Sequence, residues 1–182
     1  IAFLPSADPP HRAPTSANAL QRAEMVELAI AGHSGLSCDR RELERSGKSY
    51  SIDTLREIRA EQRDWQPIVW LIGMDAFVGL DTWHDWLDLF TLCHFVIAHR
   101  PGQSLDVMSA RLQQECQGRW LDGPDALRVQ PAGLLYSMPI DLRYESSTAV
   151  RQELLNQQGR SGLVPKTVAE YIQFHQLYAS RV

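Results

Sequence analysis

The stretch Pro67-Ile68-Val69-Trp70-Leu71-Ile72-Gly73-Met74-Asp75 decides the fold. Residues 67–72 carry no charge and no alternation of apolar with polar side chains, the signature of a strand covered on both faces in a parallel sheet. A central strand is therefore expected here. Gly73 and Asp75 follow at once, and in open α/β sheets ligands bind just beyond the carboxyl ends of the strands. The same nine residues thus nominate both an architecture and a place to look for chemistry.

Working outward, Phe95-Val96-Ile97-Ala98 is a second strand, closed by the turn Arg100-Pro101-Gly102, and Leu134-Leu135-Tyr136 is a weaker third. Between them, residues 104–117 are helical in pattern, and Thr82-Trp83-His84-Asp85-Trp86-Leu87 forms a short aromatic-rich piece. Upstream, residues 1–5 read as a short strand stopped by Pro5, and the proline-rich residues 6–16 as a loop. Leu20, Ala23, Val26, Ala29 and Ile30 then recur at helical spacing behind Asn18 as N-cap, up to Gly32. Residues 35–39 form a possible strand, and residues 40–48 a solvated charged connection. Ile52, Leu55 and Ile58 mark a second helix whose N-cap is Ser49 or Ser51. Residues 146–158 and 165–177 complete the chain as two helices, a C-terminal helical portion from about 146 to 178. Alternating strands and helices predict an α/β fold with a mostly parallel sheet, in a single domain over residues 1–182.

The composition limits the function. At 182 residues and 44% hydrophobic content the chain suffices for one core. A net charge of −4 lacks the basic footprint of a nucleic-acid binder. Of 18 basic residues only Lys48 and Lys166 are lysines, and the guanidinium fork of the others suits phosphate or carboxylate, although codon bias gives the same excess. Cys38, Cys93 and Cys116 form no C-x-x-C pair and suggest neither disulfides nor zinc, so a reducing cytoplasm is expected. No apolar run approaches the ~20 residues needed to span a bilayer. The chain opens on Ile1, inside an apolar run, from which a missing beginning is expected.

Four post-strand segments carry candidate chemistry: residues 6–12, 49–51, 73–83 and 146–151. Ser146-Ser147-Thr148 precedes a helix, where free backbone N–H groups and the helix dipole favour a phosphate, and Arg151 shares that face at i+3 and i+4. A plain N-cap is the alternative. Pro9-Pro10-His11-Arg12 puts a proton donor and a guanidinium on a stiff loop, or is simply a surface turn. Gly73 and Asp75 offer close backbone approach and a carboxylate for ribose, or Asp75 caps the next turn. Trp83 and Trp86 pack a core or lid, and one of them stacking on a flat ring is the sharper possibility. His33, His84, His94, His99 and His175 form no paired metal motif and are taken as structural. Covalent catalysis lacks a nucleophile with an adjacent base, and no P-loop is present. Helix N-termini, arginines and one carboxylate are what phosphoryl or nucleotidyl transfer requires.

Taken in order, Leu4-Pro5 with residues 9–12, Ser49-Tyr50-Ser51-Ile52-Asp53-Thr54-Leu55, Leu71 to Asp75 with Leu80-Asp81-Thr82-Trp83, Arg100-Pro101-Gly102, Ser146-Ser147-Thr148 with Arg151, and Leu163-Val164-Pro165 through Tyr171-Ile172 to Leu177-Tyr178 resemble bacterial nicotinate mononucleotide adenylyltransferase. That family belongs to the nucleotidyltransferases with a Rossmann-like, doubly wound sheet. The resemblance implies transfer of AMP from ATP to nicotinate mononucleotide with Mg²⁺, giving nicotinate adenine dinucleotide and pyrophosphate on the way to NAD. It implies that Ser146, Ser147, Thr148 and Arg151 hold the ATP phosphates, that His11 and Arg12 approach the reacting phosphates, and that Gly73 and Asp75 face ribose. On the acceptor side it implies Ser6, Tyr50, Ser51 and Trp83, the indole stacking on nicotinate while backbone N–H groups around Tyr50 and Ser51 meet its carboxylate. It assigns no protein metal ligand, no nucleic-acid partner and no membrane, and it leaves the oligomeric state open.

Two departures accompany the resemblance. The family's His-x-Gly-His loop occurs nowhere in these residues, and Glu145 stands where the family has an aliphatic residue. The expectation is a chain lacking roughly 30 residues, one strand-helix unit, at its beginning, and with little or no activity as it stands. Transfer to nicotinamide mononucleotide or phosphopantetheine, and a non-catalytic nucleotide-binding module, stay as alternatives.

Overall fold

The computed structural model of the 182-residue chain describes residues 1–8, 17–141, 150–153 and 163–178. They divide into two compact units, Ile1–Ser49 with Arg143–Val182, and Tyr50–Leu142.

The first unit opens with β1 (Ala2–Phe3), α1 (Ala19–Ile30), β2 (Ser37–Cys38) and α2 (Arg41–Glu44). β1 and β2 pair in parallel, Ala2 opposite Ser37 and Phe3 opposite Cys38. Asn18 caps α1 as its sequence predicts. Its side chain accepts from Gln21 N at 2.9 Å, and the Gln21 side chain accepts from Asn18 N at 3.0 Å, a reciprocal capping box. Residues 40–48 are not a wholly solvated connection. They contain α2, in which Glu42 is buried, and the flanking arginines find fixed partners: Arg40 forks onto Glu27 at 2.7 and 2.6 Å, and Arg41 bonds Asp39 at 2.7 Å.

The second unit runs through α3 (Ser51–Glu61), β3 (Val69–Gly73), α4 (Met74–Phe77), α5 (Trp86–Leu92), β4 (His94–His99), α6 (Ala110–Cys116), β5 (Trp120–Leu121) and β6 (Leu135–Pro139). Its four strands are all parallel, in the order β3-β4-β6-β5. The expected central strand is thus the edge of its sheet among the described residues, with Val69 47% and Leu71 55% exposed. The doubly covered strand is β4, where Phe95 and Ile97 are fully buried on one face and Val96 is buried on the other. An apolar run marks a strand that could be covered on both faces, but it carries no information about order within the sheet. The helix expected over 104–117 is shorter, because Ser109 caps α6 by accepting from Leu112 N at 3.1 Å; a 3₁₀ turn, Leu105–Val107, precedes it. Phe77, Phe90 and Phe95 meet in the core at ring distances of 5.9 and 5.4 Å, joined by Ile52, Leu55, Leu89 and Leu135.

The first unit is completed by α7 (Lys166–Phe174). Val168, Ile172 and Leu177 pack with Ala17, Met25 and Leu28, and the Tyr171 hydroxyl bonds the Glu24 carboxylate. The helix stops three residues short of the expected Leu177, because Gln176 and Tyr178 take positive φ angles of 51° and 61°. Residues 150–153 are helical, and the remainder of the helix expected over 146–158 lies outside the described residues. Parallel strands alternating with helices make this a Rossmann-like α/β fold.

Candidate functional site

Parallel pairing in register decides which residues can share a site. Val69 lies opposite His94 and Gly73 opposite Ala98, so β3 and β4 end together. The segments that leave them, residues 74–83 and 100–109, therefore run side by side at the carboxyl end of the sheet. Gly73 directs the chain into α4, and a Cβ placed on it would meet nothing within 4 Å, so the space above the strand end is open. Asp75 stands exposed in the first turn of α4, where its Oδ1 accepts a hydrogen bond from Gln103 Nε2 at 2.8 Å. Further along, Asp81 Oδ2 accepts from Ser109 Oγ at 2.6 Å.

Trp83 follows the 3₁₀ turn Leu80–Thr82, its N–H bonded to Leu80 O at 2.9 Å. Half-buried, it packs on the core cluster that also carries Tyr50. The Tyr50 ring lies 4.5 Å from that of His84, so the start of α3 and the Trp83 segment are neighbours. Arg56 strengthens this with bonds to Asp85 at 3.2 Å and Asp88 at 3.1 Å. Tyr50, and neither serine, is the N-cap of α3, and no side chain caps that end. Ser51 is the first helical residue. An uncapped helix start leaves backbone N–H groups at the positive end of the dipole.

Ser49 is used elsewhere. Its Oγ accepts from Ala7 N at 3.0 Å and Asp8 N at 3.1 Å, which holds the loop after β1. Ser6 lies in that loop, and its carbonyl accepts from Arg22, which also bonds Ala17 O at 2.8 Å. Arg151 is exposed, its guanidinium carbon 5.7 Å from the Tyr178 ring centre. His11, Arg12, Ser146, Ser147, Thr148 and Glu145 lie outside the described residues.

Within the second unit the structure thus brings Tyr50 and Ser51 near Trp83, and sets Gly73 and Asp75 on the same post-strand segment. Sequence reasoning missed Gln103 and Arg22, took His84 as structural, and read Ser49 as a helix cap and not as the anchor of the loop after β1. Only Gln103 had a signal, as the residue closing a Pro-Gly turn after a strand. The histidine expected to be structural with the most defined role is His94. It is fully buried, with Nε2 2.8 Å from Gln130 O and Nδ1 accepting from Leu134 N at 3.0 Å. Among the described residues, no helix is long and apolar enough to cross a membrane.

Comparison with known proteins adds a name to this geometry. Residues 1–153 match the family model described as cytidylyltransferase-like. A probable nicotinate-nucleotide adenylyltransferase of Stenotrophomonas maltophilia is 43% identical over 99% of this chain and 84% of its own length. Proteins of the same name from Yersinia pestis and Dechloromonas aromatica are 38% and 37% identical over 98% of the chain. Among solved structures, the nicotinic acid mononucleotide adenylyltransferase of Plasmodium falciparum, complexed with NaAD, superposes with a TM-score of 0.63 over 97% of this chain and 81% of its own. At 13% identity that likeness speaks for the fold alone. The bacterial relatives, similar across nearly the whole chain, settle the family: this chain belongs to the nicotinate-nucleotide adenylyltransferases, within the cytidylyltransferase-like group.

Proposed function

We propose that the chain carries adenylyl transfer from ATP to nicotinate mononucleotide, giving nicotinate adenine dinucleotide and pyrophosphate for NAD biosynthesis. The observation that carries this is 43% identity, over 99% of the chain, to a protein named for that activity. In the reaction an oxygen of the mononucleotide's 5′-phosphate attacks the α-phosphorus of ATP. The bond from that phosphorus to the oxygen bridging the β-phosphate breaks, and pyrophosphate leaves with the electron pair. Little covalent work falls to the protein, and the rate comes from alignment and charge neutralisation.

The side-chain roles proposed here are those the family resemblance implies, with support from the geometry of the described segments. Asp75 would accept hydrogen bonds from the hydroxyls of ATP's ribose beside the open space at Gly73. Trp83 would cover the nicotinate ring. The uncapped start of α3 at Tyr50 and Ser51 would receive the ring's carboxylate, for which a helix N-terminus discriminates against the neutral amide of nicotinamide. Ser6 would lie on the acceptor side, held by the loop that Arg22 and Ser49 fix. His11 and Arg12 would meet the reacting phosphates, and Ser146, Ser147, Thr148 and Arg151 the triphosphate. Mg²⁺ would come with the nucleotide and neutralise phosphate charge. Among the described residues no three His, Cys, Asp or Glu side chains cluster as metal ligands. A cytoplasmic setting accords with ATP as substrate and three free cysteines.

Pyrophosphate release tests the proposal, with ATP and each of nicotinate mononucleotide, nicotinamide mononucleotide and phosphopantetheine. It is run on the 182-residue chain and on a form extended upstream with a His-x-Gly-His segment. Turnover by the extended form with a preference for nicotinate mononucleotide is expected. No turnover, or preference for another acceptor, refutes it. Trp83→Ala and Ser51→Pro should each raise KM for nicotinate mononucleotide by roughly tenfold or more, equivalent to losing about 1.4 kcal/mol of ring stacking or anion binding, with KM for ATP little changed.

A further inference from the structure

We infer that Gln103 is a positioning residue that presents the Asp75 carboxylate to a ribose diol. The inference rests on the assignment of Asp75 to ATP's ribose made above. The two residues are 28 apart in sequence and meet because β3 and β4 end in register. Gln103 Nε2 donates to Asp75 Oδ1 at 2.8 Å, while its Oε1 accepts from Arg100 N at 2.8 Å. A side-chain amide has one donor end and one acceptor end. With the oxygen committed to the Arg100 N–H, the NH₂ group is turned towards Asp75.

The turn that carries Gln103 is itself closed, since Gln103 N donates to Arg100 O at 3.2 Å and Gly102 takes a φ of 84°, which a glycine adopts without strain. A second bridge, Ser109 Oγ to Asp81 Oδ2, ties the same two segments further along, and Ser109 is immobilised as the cap of α6. Gln103 therefore stands on a braced element. One carboxylate oxygen of Asp75 is held by it, and the other is left to accept from ribose hydroxyls. Holding the acceptor in place before the ligand arrives removes an ordering cost from binding.

The test measures binding of ATP and of 2′,3′-dideoxy-ATP to the full chain by calorimetry, for wild type, Gln103→Ala, Gln103→Glu, Asp75→Ala and the double variant Asp75→Ala/Gln103→Ala. Gln103→Ala is expected to weaken ATP binding roughly three- to tenfold. Gln103→Glu should weaken it further, because a second carboxylate then faces Asp75. Neither should change binding of the dideoxy nucleotide, and Gln103→Ala should add nothing once Asp75 is Ala. If Asp75→Ala weakens ATP but Gln103→Ala does not, or if Gln103→Ala weakens both nucleotides equally or acts undiminished in the Asp75→Ala background, the positioning role is overturned while the ribose assignment stands. If wild type does not distinguish the two nucleotides, or Asp75→Ala binds ATP as wild type does, the ribose assignment itself fails and the inference with it.

Discussion

Replacing His94 by leucine tests a bond pattern that admits only one protonation state. The ring is fully buried at the start of β4, where it donates to Gln130 O from Nε2 and accepts the Leu134 N–H at Nδ1. Leucine has a similar bulk and no polar atom, so it leaves a carbonyl and an N–H without their partner. Each such orphan costs roughly 1–3 kcal/mol, and the pair about 3 kcal/mol. For a chain of this size that lowers Tm by roughly 6–12 °C. The pH dependence is the sharper signature. Burial disfavours the imidazolium and the guanidinium of Arg59 adds repulsion, which together outweigh the bond to Gln130 O and hold the pKa of His94 below its ordinary value; protonation would also set a second N–H against that of Leu134. With the folded value depressed, the histidine's contribution is complete above an unfolded pKa of about 6.5 and is lost as pH falls, at up to about 1.4 kcal/mol per unit. Urea unfolding at pH 7.5 and 5.5, with exchange of the Leu134 amide as a local probe, measures both effects. The variant should be less stable at pH 7.5, and the gap should narrow at pH 5.5. A gap of equal size at both pH values, or a loss under about 1 kcal/mol at pH 7.5, would refute the reasoning.

Two further outcomes follow from single features. Gly133 has a φ of 92°, and a Cβ there would lie 3.2 Å from Phe90 O and from Arg119 Nη1, so Gly133→Ala should cost about 2–3 kcal/mol, combining left-handed backbone strain with the contact; thermal unfolding within a degree or two of wild type would contradict this. Burial pushes the Cys93 thiol up and the Cys116 thiol up to about 11, while Cys38 is only half-buried. A chromogenic disulfide reagent at pH 8 should therefore label at most one thiol in the native protein and three in urea, and rapid labelling of two native thiols would disprove it.

The elements that were legible in the sequence are those whose signals are local. Asn18 announces an N-cap, and the stripe Ile52, Leu55, Ile58 needs only its own helix to be read. Sheet order is not local. The run 67–72 looked central, yet β3 stands at the edge of the described sheet and the weaker-looking segment at 134–136 became β6, paired on both sides. Two-residue β5 carries too short a pattern to be seen at all. The N-cap of α3 shows the same limit. Ser49 and Ser51 have the right chemistry, but the hydroxyl of Ser49 is taken by two N–H groups of the loop after β1, 42 and 41 residues away, so the helix starts on Tyr50.

The arginine excess illustrates why site residues resist counting. Sequence alone makes every guanidinium a candidate for phosphate, yet several are already committed. Arg59 donates to the carbonyls of Gln66, Leu92 and Pro131, Arg119 to those of Glu115 and Gly133, and Arg22 to those of Ser6, Ala7 and Ala17. Drawing one of these away to a ligand would forfeit charge-assisted bonds of about 1.5–3 kcal/mol each. Arg40 and Arg56 are likewise held by carboxylates. Arg151 differs in kind, since its contact is with the face of the Tyr178 ring. A cation–ring contact made by an exposed arginine is worth about 0.5–1 kcal/mol, less than one such bond to a charged group, so Arg151 is the least costly of these arginines to turn towards a triphosphate. That difference in commitment, invisible in the composition, accords with the phosphate role proposed for Arg151.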